Sequence, residues 1–129
     1  MKYIIAILLA LTIMASPTLL IAANPAQISR ATFCTGISDH EPINSPEKIS
    51  VGEQTVYFFT EVRNGKDQLL THKWFYNNVP IAEVPLRIGD DRWRTWSTKQ
   101  VWHLTPGMLK VQVIDNNGIV LTEQEIPLQ

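Results

Sequence analysis

The chain has 129 residues, the size of a single domain, and a formal net charge of −1. So even a balance excludes the dense basic surface that nucleic acid demands, and no nucleic-acid partner is expected. A single cysteine, Cys34, cannot form an internal disulfide, so the fold must stand on packing alone.

The chain opens with Met1-Lys2, and Tyr3 to Ala23 then carries no charge and is nearly all apolar. A short positive start, an apolar run and Ala22-Ala23 at its end form the layout of a secretory signal peptide. Ser16-Pro17 interrupts the run, which favours a processed leader over a membrane helix. Residues 1–23 are expected to be removed, leaving one domain over 24–129 in the periplasm or outside the cell. Uncut, the same segment of about twenty residues would hold the chain to a membrane. Lys2 is the only charge lost, taking −1 to −2. Cys34 lies too far along for a lipoprotein signal and is expected to be a buried, inert thiol beside Phe33.

No amphipathic helix is apparent after the leader. Short runs rich in Val, Ile, Thr, Phe, Tyr and Trp are broken by Gly, Pro and Asn, the signature of an all-β chain. Ile28 to Thr35 reads as a first strand. Gly36 to Gly52 reads as a long polar loop with Pro42 and Pro46. Thr55 to Val62 is apolar on both faces and is predicted to be a central strand. Asn64-Gly65 is read as a turn leading to Leu69–Tyr76, with Trp74 as the core tryptophan. Asn77-Asn78 turns again, and Val79 to Ile88, with Pro80 and Pro85, belongs at an edge.

Gly89-Asp90 fits a two-residue hairpin loop with Gly at positive φ. That loop would set Leu86 opposite Trp93, Val84 opposite Thr95 and Glu83 opposite Trp96. Ala82, Val84, Leu86 and Ile88 then alternate inward with Trp93, while Arg92, Arg94 and Trp96 share the outward face. Val101 to Pro106 is irregular or a single helical turn. Met108–Asp115 and Ile119–Ile126 are the last strands. A three-residue loop, Asn116-Asn117-Gly118, with Gly118 left-handed, is predicted to pair Val113 with Leu121. The expected fold is an antiparallel two-sheet sandwich of about seven strands, immunoglobulin-like.

Three constellations invite a functional reading. Arg92, Arg94 and Trp96 can form a platform, with a guanidinium over an indole, for a sugar ring, a carboxylate or a phosphate. The competing use is a ladder that only covers the sheet, with Glu83 pairing across to Arg94. Glu61 and His72, on neighbouring strands of a predicted hairpin, would meet as a satisfied polar pair or as an acid–base pair. Asp39-His40-Glu41 and Asp90-Asp91 could supply oxygen ligands to a cation, but lack the spacing of a calcium loop. His40, His72, His103 and Cys34 lack zinc spacing. No metal and no cofactor is expected. Trp102-His103 is read as either an exposed aromatic contact or a cap over the open end.

Several stretches together carry a resemblance. They are Thr35-Gly36-Ile37 with Glu41-Pro42, Val56-Tyr57-Phe58-Phe59-Thr60-Glu61, Thr71-His72-Lys73-Trp74 with Tyr76-Asn77, and Ala82-Glu83-Val84-Pro85. Arg92-Trp93-Arg94 with Trp96-Ser97-Thr98-Lys99, and Val113-Ile114-Asp115 with Gly118, complete the set. In this order and spacing the chain resembles the bacterial domain-of-unknown-function family 2914 over nearly all of its mature length. Asn77-Asn78 stands where such domains often carry Asn-Gly. The resemblance implies an envelope domain, found alone behind a signal or at the end of larger membrane-attached proteins. It implies no activity and no catalytic residue.

The leading expectation is a non-catalytic binding module of the cell envelope. It would recognise a glycan, an anionic group or a partner protein through Arg92, Arg94, Trp96 and Glu83. The rivals are a hydrolase of envelope sugars or peptides using Glu61, His72 or the acidic loop, and an assembly or adaptor subunit.

Overall fold

The computed structural model describes Ile13 and residues 25–129, and the expected leader lies outside the described residues but for Ile13. Nine strands and no helix are present among the described residues. They are β1 (Gln27–Cys34), β2 (Gly36–Ser38), β3 (Glu41–Ile43), β4 (Thr55–Arg63), β5 (Leu69–Tyr76), β6 (Val79–Arg87), β7 (Arg92–Gln100), β8 (Gly107–Ile114) and β9 (Val120–Leu128). One sheet has the order β1-β4-β7 and the other β6-β5-β8-β9, all antiparallel. These seven strands make the expected sandwich, and β2 and β3 form a small extra hairpin.

The alternation within β4 organises the packing. Val56, Phe58, Thr60 and Val62 face the second sheet and are fully buried. Trp74 on β5 is also fully buried, edge-on to Phe33 and Phe58 at 6.1 and 6.4 Å. Leu109, Val111 and Val113 of β8 complete the core, with Ile126 and Leu128 of β9. Cys34 is buried and free, and burial pushes its thiol pKa up.

Inside this core sits one polar chain. Thr60 Oγ1 donates to Thr95 O at 3.2 Å, and therefore accepts from His72 Nε2 at 3.2 Å. Ser97 Oγ accepts from Trp74 Nε1 at 2.9 Å and donates to His72 Nδ1 at 2.7 Å. Each buried group thus has a partner, and the single imidazole proton is assigned to Nε2. The chain ties β4, β5 and β7 together across the two sheets.

Several expectations are corrected. The segment Gly36–Gly52 is not one loop. It folds back as β2–β3, with Asp39 and His40 both at positive φ in the two-residue turn, and Ile49 then bridges in parallel to Leu128. The β4–β5 and β6–β7 connections are not hairpins, because each passes from one sheet to the other. A strand carrying Pro80 and Pro85 has one dependable hydrogen-bonding edge, and β5 takes it. The predicted pairs Leu86/Trp93, Val84/Thr95 and Glu83/Trp96 therefore do not form, and β7 pairs with β4. The two crossings are bonded to one another through Asp67 N to Ile88 O, Ile88 N to Gln68 O and Asn64 N to Asp91 O.

Gly89 does not have positive φ. Its missing side chain makes room for the Trp93 ring, which would lie 2.7 Å from a Cβ there. Trp93 shares the inward side of β7 with Thr95 and Ser97, but sits at the end of the strand and stays 38% exposed, at the rim of the core. In the β8–β9 hairpin the three-residue loop forms as expected, with Gly118 at φ 80°. A bulge at Leu121 then resets the register, so Val113 faces Thr122 and not Leu121.

Burial holds the His72 pKa down at about 4, against an ordinary value of 6.5. The unfolded chain therefore takes up a proton that the folded chain refuses between those values. Stability is fully present above about pH 6.5 and falls as pH drops toward 4, by about 3 kcal/mol in all. Urea unfolding measured across this window should show that loss, and His72→Gln should flatten it. Ser97→Ala strands Trp74 Nε1 and His72 Nδ1, and should cost about 1–3 kcal/mol in the same assay.

Candidate functional site

The face of β1-β4-β7 turned away from the core carries Phe59 and Glu61 of β4 with Arg92, Arg94 and Trp96 of β7. Cross-strand register sets Trp96 opposite Phe59, Arg94 opposite Glu61 and Arg92 opposite Arg63. A carboxylate in the middle of a buried strand demands cations, and Glu61 is only 4% exposed.

Its partners come from both neighbouring strands. Ser29 is an extra residue in β1, where the register slips between Ile28 and Arg30. This bulge turns both Ser29 and Arg30 onto the same carboxylate. Ser29 Oγ donates to Glu61 Oε2 at 2.7 Å, and Arg30 reaches both carboxylate oxygens at 3.4 Å. Arg92 Nε donates to Oε1 at 2.9 Å, and Arg63 Nη2 lies 3.9 Å from Oε2. The Ser29 hydroxyl first, then Arg30 and Arg92, outweigh burial and hold the Glu61 carboxyl down at about 2.

The β2–β3 hairpin adds a second carboxylate. Glu41 takes Arg30 in a two-pronged pair, Nη1 to Oε2 at 2.7 Å and Nη2 to Oε1 at 3.1 Å. It also accepts from Arg94 Nη1 at 2.9 Å. Arg30 leads in holding the Glu41 carboxyl below its ordinary range, and the two carboxylates raise the Arg30 guanidinium in turn. Arg30 lies over the Phe59 ring at 5.1 Å, and the His40 ring stands edge-on to Trp96 at 5.9 Å.

Arg92, Arg94 and Trp96 are thus brought to one face, as the alternation predicts. The expected stack of a guanidinium on the Trp96 indole does not form, and His40 meets that ring instead. Glu83 does not join them. It lies on β6 in the other sheet, paired with Lys73 at 3.6 Å, so the predicted Glu83–Arg94 pair is replaced by Glu41–Arg94. Glu61 and His72 do not meet either. They belong to different sheets, Glu61 on the outer face of β4 and His72 in the core. An acid held ionised down to about pH 2 is also a poor general acid near neutrality. Among the described residues no group of three or more His, Cys, Asp or Glu is placed to hold a metal.

Four guanidiniums against two carboxylates leave a local excess of two positive charges. Arg30 is saturated. Arg92 has Nη1 and Nη2 without a partner among the described residues, and Arg94 has Nε and Nη2. The same two arginines border a hollow of about 430 Å³ lined by His40, Arg92, Trp93, Arg94, Thr95 and Trp96. Paired planar donors beside aromatic rings suit a carboxylate or phosphate group, which a guanidinium binds through two parallel hydrogen bonds.

The family model described as protein of unknown function (DUF2914) matches residues 67–125. Over that span the chain is similar to DUF2914, in agreement with the family that its motifs resemble. The match is shorter than the near-complete resemblance read from the sequence motifs. It runs from the approach to β5 into β9, and so includes Arg92, Arg94 and Trp96. Ser29, Arg30, Glu41 and Glu61, which fix those arginines, precede the matched span. No match was found among curated proteins.

Sequence reasoning did not find Ser29, Arg30, Glu41 or His40 as parts of this site. One signal was available: Glu61, the only acid in an otherwise uncharged run from Thr55 to Val62, needs cationic neighbours wherever that strand is central. Glu61→Gln should therefore lower stability by about 2 kcal/mol at pH 7, since it leaves arginines facing one another without their anion. Glu83→Gln, on an exposed side chain, should change it little. Thermal unfolding of the two variants checks the contrast. In the parent, the Glu61 contribution should hold above about pH 4.5 and disappear as pH falls toward 2.

Proposed function

We propose that this chain is a non-catalytic binding module of the bacterial cell envelope. Its ligand is an anionic group on a glycan or a partner protein, taken up at the outward face of β7. The observation that carries this reading is the arrangement of Arg92 and Arg94. Each is fixed at one end by a carboxylate, Glu61 or Glu41, and has further nitrogens free at the edge of a hollow. Such anchoring lowers the ordering cost of binding, because the side chains are already positioned. Trp96, with His40 against its ring, adds a flat apolar wall beside the charges.

The envelope assignment rests on the leader pattern of residues 1–23 and on the resemblance of the motifs. The module reading rests on the ion pairs themselves. The carboxylates in this cluster act as structural counter-ions to the arginines, and neither Glu61 nor Glu41 is free for proton transfer.

Titration with a carboxylated polysaccharide such as polygalacturonate, against neutral dextran as control, tests the reading. Polygalacturonate should bind and dextran should not, and the affinity should fall as salt is raised. Arg94→Gln and Arg92→Gln should each weaken binding by about tenfold or more. Trp96→Ala should weaken it less. Circular dichroism should show all three folded. Equal binding by parent and arginine variants, or equal uptake of dextran, would remove the proposal.

A further inference from the structure

The backbone of β7 carries a second recognition element. β7 pairs with β4 on one side, and among the described residues nothing pairs with its other side. The phase of the ladder decides which groups point outward. Asn64 N bonds to Asp91 O, and Val101 N bonds to Gln54 O. Positions 91 and 101 therefore turn their backbone toward β4, and in an antiparallel pair every second residue between them does the same. The N–H and C=O groups of Arg92, Arg94, Trp96, Thr98 and Gln100 accordingly point away from the sheet, along an open edge. The residues that present the cationic and aromatic side chains also present unpaired backbone.

The other long edges are protected. β6 carries Pro80 and Pro85. β1 and β9 run beside each other, with Gln124 Nε2 bonded to Ala31 O, and the end of β9 is covered by Ile49 and Val51. The β7 edge has no proline, and among the described residues nothing covers it. The hollow beside it is lined by residues of both sides of the strand, Trp93 and Thr95 as well as Arg92, Arg94 and Trp96, so it follows the strand's margin.

We infer that β7 accepts an extended acidic segment of a partner protein as an added strand, with the segment's carboxylates set against Arg92 and Arg94. This rests on the anion-binding reading above and specifies its ligand. Charge selects the occupant. β7 contains Arg92, Arg94 and Lys99 and no acid, within a chain of net charge −1. A second copy of β7 brings further positive charge and no acid to the shared ladder, and so offers Arg92 and Arg94 no counter-ion. A segment with acids at alternate positions places every carboxylate on the arginine face while its backbone completes the ladder. A glycan can use the side chains but has no regular ladder to offer the edge.

The probe is a capped peptide of about eight residues alternating glutamate and valine, the length of an ordinary strand. Two further versions carry N-methyl groups, one on every glutamate and one on every valine. Amide exchange by NMR should show protection at Arg92, Arg94, Trp96 and Thr98 on adding the parent peptide. One methylated version should lose about tenfold or more in affinity and the other should keep it, because only alternate peptide amides face β7. Thr98→Pro removes one outward donor without touching the β4 ladder, and should weaken the peptide while leaving the fold and polygalacturonate binding intact.

Equal binding by both methylated peptides, with Arg94→Gln still weakening them, would overturn strand addition and leave the anionic face standing. Binding of polygalacturonate without binding of the peptide would overturn it in the same way. If neither binds, both readings fall. Protection of these amides without peptide, growing with protein concentration alongside a rise in mass, would give the edge to a second copy and overturn the proposal.

Discussion

Glu61 is a carboxylate placed where the sheet leaves almost no water, on the strand that supports both layers. Burying such a group without partners would cost several kcal/mol, so the strands on either side must each deliver cations. β1 does this with a bulge that points Ser29 and Arg30 at one carboxylate. β7 does it with Arg92. The outer face of the sheet is thereby fixed as a network of charges. Its second anion, Glu41, arrives on the small β2–β3 hairpin and clasps Arg30 and Arg94 together.

This arrangement separates two roles that often compete. Arg30 has all three nitrogens engaged and acts as the keystone between the carboxylates. Arg92 and Arg94 are each held by one carboxylate contact and keep further donors without a partner among the described residues. On the binding reading proposed above, holding part of a guanidinium while freeing the rest would give a group that is rigid before a ligand arrives. The same strand is the open edge of the sandwich, so side-chain charge and backbone donors converge on one line of the surface. Positive charge on an edge strand also discourages pairing between copies.

The core enforces this geometry from behind. His72, Ser97, Trp74 and Thr60 make a directed chain of hydrogen bonds that pins β7 and β4 to β5. Without a disulfide across the sandwich, the edge-on contacts of Trp74 with Phe33 and Phe58 join the sheets, and this polar chain fixes their alignment. Two crossings, at Asn64–Gln68 and Ile88–Asp91, are bonded together and hold the start of β7 where Arg92 can reach Glu61.

The sequence alone determined the strand content, the central place of β4, the edge place of β6 and the core place of Trp74. Each of these is a local property, set by apolar alternation, by double-sided burial or by proline. It also placed Arg92, Arg94 and Trp96 on one face, because parity within a strand needs no knowledge of the neighbours. Only the tertiary structure decided which strands pair. Val79–Arg87 and Arg92–Gln100 look like a hairpin because they are close in sequence, yet the chain crosses between sheets so that the proline-bearing strand spends its one good edge on β5. The partners of the arginines followed from that choice. Glu83, about ten residues away, went to the other sheet, while Glu41 and Glu61, from strands about 50 and 30 positions earlier, came into contact. Ion pairs of such long range are set by which strands lie side by side, and no local pattern in the chain encodes that.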